Sequence, residues 1–218
     1  MDSEFWAAIA GAVVGGALTI ASQILTERQK EAVNRRAKAI ALFAKIRRMH
    51  DNLRSIDRWL RDGLADAKRD NIEVAFATLE IANPFNETYL TDEEKLVAFL
   101  WSDPDLFREI ENTEYAYNNI LPLVREFSDG KRHLLDGLSI SEHGPNIYRI
   151  ELGEDAARKR AKIEALNALL ADMTQSIGSD LQASEFALRG VMLRLRHDHR
   201  VKLAFVEKQA PKGNELEV

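Results

Sequence analysis

Five histidines, His50, His133, His143, His197 and His199, are the side chains that ordinarily titrate near neutral pH, and the chain has no cysteine. Without cysteine there is no disulfide, no thiolate zinc site and no thiol nucleophile, which agrees with a reducing cytosol. His197-Asp198-His199 is the one histidine cluster. On a helix, residues two apart point about 200° apart, so these two rings cannot share a metal there. The cluster reads instead as part of a basic surface. With Arg189, Arg194, Arg196, Arg200 and Lys202 it forms a face that stays solvated or binds an anion: lipid headgroups, nucleotide or RNA phosphates, or the protein's own acidic middle. The anion-binding candidates are therefore Arg189, Arg194, Arg196, His197, His199 and Arg200. Carboxylates such as Asp92, Glu93, Glu94, Asp103 and Asp105 cluster at expected helix starts, where they favour the helix dipole. There is no phosphate-binding loop, dinucleotide fingerprint, zinc-protease helix, nucleophile elbow or calcium loop. No residue is expected to be catalytic, and no metal or cofactor is expected.

Arg194 and His199, separated by four residues within RGVMLRLRHDHR, resemble the R-x4-6-H signature of HEPN-type ribonucleases. That resemblance covers six residues. It implies a helical enzyme that needs no cysteine and cleaves RNA with an arginine and a histidine from each of two protomers. Membrane-attached relatives occur among bacterial defence effectors. The family usually places Asn, Asp or His directly after the arginine, and this chain has Leu195 there.

What must position these groups begins with FWAAIAGAVVGGALTIASQIL, uncharged from Phe5 to Leu25. As a helix this stretch is about 31 Å long, the thickness of a bilayer's hydrocarbon core. A cleaved signal peptide would open on basic residues, whereas this chain opens Met1-Asp2-Ser3-Glu4. Arg28, Lys30, Arg35, Arg36 and Lys38 follow the stretch, and basic flanks stay on the cytoplasmic side. The expectation is a single pass through the cell (inner) membrane, with residues 1–4 outside. Gly11 and Gly15 form a GxxxG pair within a broader stripe. Ala8, Ala12, Gly15, Thr19, Ser22 and Thr26 follow one another at spacings of four and three, a small-residue face suited to helix packing in lipid. Bulkier Trp6, Ile9, Val13, Ile20 and Ile24 cover other angles. The stripe predicts self-association; in a ring of copies it would line a narrow wet pore.

Helical spacing continues past the span. Phe43, Ile46, Met49, Leu53, Ile56 and Leu60 predict one buried face on a rod from Phe5 to about Leu64. Residues 71–82 fit either periodicity and are taken as helix, followed by a turn at Asn83-Pro84-Phe85-Asn86. Thr91-Asp92-Glu93-Glu94 is a capping-box signal for a helix to about Trp101. Pro104 opens another, kinked near Pro122 and ending by Asp129-Gly130. Residues 138–152 read as a small β-hairpin turning at Gly144-Pro145-Asn146. A last helix is expected from Glu154 to about Ala204, with a break near Gly178-Ser179, and a polar tail over 210–218.

The fold class expected is all-α: a transmembrane helix over 5–25 continuing into a cytoplasmic helical bundle, 26–209, with one small hairpin. Residues 1–61 carry 11 Lys/Arg against 6 Asp/Glu, residues 62–156 carry 8 against 21, and residues 157–218 carry 11 against 8. An acidic middle between basic ends argues against general nucleic-acid binding and lets the ends meet a membrane surface or that middle. The partners expected are the bilayer, further copies of the chain, and a cytosolic ligand or protein. Three readings follow: a signal-responsive membrane effector or channel, like small bacterial defence effectors; a non-catalytic tether or scaffold; and a membrane-bound ribonuclease. The balance leans away from an enzyme.

Overall fold

Apolar residues three and four apart wind the first third of the chain into one helix, α1, Asp2–Asp70, 69 residues long and about 100 Å from end to end. The computed structural model describes residues 2–81, 85–136, 138–142, 148–151 and 155–201, with the backbone alone for 2–14, 17, 18, 139–142 and 148–151. The expected stripe Phe43, Ile46, Met49, Leu53, Ile56 and Leu60 is buried throughout. Gly63 does not interrupt the helix. Its missing side chain makes room for Thr78: a Cβ at Gly63 would lie 2.2 Å from Thr78 Oγ1.

The helix expected over 71–82 shrinks to one turn, α2, Val74–Ala77. Asn71, with φ at 51°, follows the end of α1, and Ile72 and Leu79 stay exposed. A helix there would have no buried face to stabilise it. The chain instead runs without regular structure through residues 78–81 and 85–91, its backbone satisfied by side chains from several helices. The Trp59 indole N–H donates to Leu79 O, Asn118 both accepts from and donates to the Thr88 backbone, and Glu114 accepts from Leu90 N. Asn83 and Pro84 of the expected turn lie outside the described residues.

Helix α3, Asp92–Leu100, starts on the expected capping box, with Thr91 Oγ1 accepting from Glu94 N and Glu94 accepting from Thr91 N. Helix α4, Pro104–Leu135, is capped by Asp103 and has Pro104 in its first turn. It continues through Pro122 and past Gly130, five residues beyond the expected end, because Lys131 and Leu134 still have a core to enter. The hairpin is present as β1, Ser139–Glu142, antiparallel to β2, Tyr148–Glu151, with Ile140 opposite Ile150; its turn lies outside the described residues. Helix α5, Ala156–Asp198, passes Gly178 without a break. It stops short of Ala204: Arg200 takes φ 50° and Val201 N–H closes on Leu195 O. Lys202 and the tail 210–218 lie outside the described residues.

The fold is all-helical apart from the hairpin. α5 lies between α4 and α1, and α3 packs along α1. One core joins them, from Ala39 and Leu42 through Tyr117 and Phe127 to Val191 and Leu195. Ala39 is the first buried residue of α1 among the described side chains, and those before Lys38 are exposed. Among the described residues no helix is long and apolar enough to cross a membrane. Residues 5–14, 17 and 18 of the expected span are outside those whose side chains are described.

Candidate functional site

The basic residues of α1 and the carboxyl end of α5 lie on the side of the bundle where α1 leaves it. α1 and α5 run antiparallel, joined midway by His50 Nδ1 and Ser184 Oγ at 2.9 Å. The carboxyl end of α5 is therefore beside the emerging part of α1. Lys38 pairs with Glu93 at 2.8 Å and Lys45 with Glu94 at 2.7 Å, fixing α3 along the exit. Arg194 reaches across to Asp103, the cap of α4, at 3.1 Å. These are contacts of the basic ends with the acidic middle. The Lys38 pair draws the Glu93 carboxyl below its ordinary range, chiefly through their hydrogen bond. Asp103 is lowered too, first by the Leu106 N–H and less by Arg194.

Of the expected anion-binding residues, Arg189 pairs with Glu185 on its own helix and Arg194 is held by Asp103. His197 Nδ1 lies 2.8 Å from Asp198. His199 forms the cap of α5, and its Nε2 is buried without a hydrogen-bond partner. Arg196 and Arg200 are exposed and carry no ion pair among the described residues. The stretch does not converge on one pocket. No group of three His, Cys, Asp or Glu able to hold a metal exists among the described residues.

On the emerging helix, Arg35 pairs with Glu31, while Arg28, Lys30 and Arg36 have no ion pair among the described residues. In the stripe, Ala8, Gly11 and Ala12 lie outside the described side chains. Gly15 has nothing within 4 Å of where a Cβ would stand. The hydroxyls after it bond their own helix: Thr19 to Gly15 O at 2.9 Å, Ser22 to Thr19 O and Thr26 to Ser22 O, both at 2.8 Å. They are thus satisfied without water or a neighbour, a condition for burial in lipid or against another helix.

Two polar arrangements escaped the sequence reading. Ser184 and His50 form a serine–histidine pair, but Ser184 is fully buried and its own hydroxyl donates to Leu181 O. Burial lowers the His50 pKa, with Asp51 and Glu185 opposing, and the pair ties α1 to α5. Lys131 is buried against the carbonyls of Phe76 and Thr78. Desolvation lowers its pKa, with Glu80 opposing. Both partners lie more than fifty residues away, beyond any local signal. No family model, curated protein or solved structure matches this chain.

Proposed function

We propose that the protein is a single-pass membrane protein, amino terminus outside, whose span over 5–25 and cytoplasmic helical domain self-associate as a signal-responsive membrane effector or channel of bacterial-defence type. The observation that carries this reading is the continuity of α1. One unbroken helix joins an uncharged 21-residue stretch to the buried face of the bundle, with some dozen exposed residues between them. A single helix gains most of its stability from packing, so this length of uncovered helix calls for a bilayer or further copies. Motion in the bundle is then delivered to the span through a rigid element.

The test is expression in bacteria while membrane potential is followed. An effector or channel depolarises the cell, and Thr19→Leu, which places a bulky apolar ring at a wet constriction, stops the leak with assembly intact. A tether causes no leak. That second reading draws support from the hydroxyls of Thr19, Ser22 and Thr26, which bond their own helix and need no aqueous path. The ribonuclease reading rests on Arg194 and His199; it predicts RNA loss without early depolarisation, abolished by His199→Ala. Its arginine is engaged by Asp103.

A further inference from the structure

The corner between α3 and α4 combines exposed apolar side chains with free cations, at the end of the bundle where α1 emerges. α3 runs back along α1. Glu93 meets Lys38, and Leu96 and Leu100 share a groove with Glu31, Asn34 and Arg35. Leu100 is thus the last residue of α3 and the one nearest the uncharged stretch. Phe99 is 65% exposed, Leu100 51% and Leu96 55%. Phe99 is steadied from behind by an edge-on contact with Phe107, centroids 6.1 Å apart. Ser102, with φ at 53°, turns the chain sharply into α4.

Arg28 and Lys30 lie on the emerging helix between the uncharged stretch and Glu31, Arg36 lies one turn beyond Glu31, and Arg196 and Arg200 lie at the carboxyl end of α5; none has an ion pair among the described residues. Of the acids on these elements, Glu31 pairs with Arg35, Glu93 with Lys38 and Asp103 with Arg194, while Glu27 beside Arg28 has no ion pair among the described residues.

We propose that this corner docks on the anionic inner surface of the membrane that the protein spans, with Phe99 and Leu100 entering the headgroup layer and the free cations meeting lipid phosphates. The inference rests on the reading of 5–25 as a span. Distance supports it. Glu31, level with Leu100, lies six residues past Leu25, about 9 Å along the helix. A headgroup layer is about 5–7 Å deep, so a modest tilt of the rod brings the corner into it. Exposed aromatic and aliphatic side chains flanked by lysine and arginine are the composition that binds such an interface. Docking there would restrain the bundle, and its release would free the rod to turn.

The chain has no cysteine, so single cysteines label one site each. Full-length protein carrying Ser102→Cys, Tyr115→Cys or Val13→Cys is labelled with a polarity-sensitive fluorophore and reconstituted in bilayers of zwitterionic and phosphatidylglycerol lipid containing brominated chains. Quenching is expected at positions 13 and 102 and not at position 115, an exposed site eleven residues along α4 from its start. Adding Phe99→Glu to Ser102→Cys should abolish quenching at 102 only. Quenching at 13 without quenching at 102 overturns the docking and leaves the span intact. Absence of quenching at 13 overturns the span itself. Equal quenching at 102 without anionic lipid removes the role of the cations. Loss of emission at 102 in the absence of brominated lipid assigns the corner to a second copy of the chain and overturns the proposal.

Discussion

Burial lifts the Asp180 carboxyl above the ordinary carboxylate range, and no cation answers it among the described residues. The folded state therefore holds this proton more tightly than the unfolded chain. Its cost is absent in acid, below the unfolded pKa of about 3.9, and grows as pH rises through the carboxylate range. Asp180→Asn should raise the Tm at pH 7 and leave it unchanged well below pH 4; being half-exposed, the site offers less than about 1 kcal/mol. Thermal unfolding at the two pH values checks this. Lys131 is the opposite case. It is itself desolvated, yet its ammonium serves the part-buried carbonyl of Phe76 and the buried carbonyl of Thr78. Lys131→Met would leave those acceptors without a donor, at about 1–3 kcal/mol each, so urea unfolding should show a loss of about 2 kcal/mol or more. Neither residue stood out in the sequence, because what makes each of them unusual lies on other elements.

Elements were more legible than their punctuation. The core face of α1, the capping box of α3, Pro104 at the start of α4 and the hairpin strands all follow from local pattern and are present. Gly130 and Gly178 read as a stop and a break, and α4 and α5 run through them. Gly63 and Gly130 instead sit at close approaches, where a Cβ would meet Thr78 Oγ1 at 2.2 Å and Leu166 Cδ2 at 2.8 Å, while Gly178 faces open space. This distinction separates two substitutions of the same kind. Gly178→Ala should stabilise by about 0.5–1 kcal/mol through helix propensity alone. Gly63→Ala should destabilise by about 1–3 kcal/mol, because Thr78 must move. Denaturant midpoints of the two variants decide, and equal gains would mean that Thr78 has room to shift. The described residues 78–81 and 85–91 stayed illegible for a different reason: among their hydrogen-bond partners are Trp59, Glu114 and Asn118, which sequence adjacency does not reveal.

At the scale of the whole molecule, the uneven charge was the informative signal: the basic ends meet the acidic middle at Lys38–Glu93, Lys45–Glu94 and Arg194–Asp103. These contacts fix the direction in which α1 leaves the bundle, and the described side chains of the helix before Lys38 are exposed. A rod of this kind couples the bundle to the proposed span only if it preserves both rotation and rise. Each helical residue adds about 100° and 1.5 Å, so two alanines inserted between Ala32 and Val33 turn the span by about 200°, while seven turn it by only about −20°. If self-association uses the stripe Gly15, Thr19, Ser22 and Thr26 together with a fixed face of the bundle, the two-residue insertion should disrupt oligomers in detergent and any ion leak. The seven-residue insertion, although it lengthens the rod by about 10 Å, should preserve both. Length and phase thus predict opposite rankings, and size-exclusion chromatography with depolarisation measurements distinguishes them. If both insertions behave like the parent chain, α1 carries no rotational information, the effector mechanism falls, and a passive tether is the function that fits.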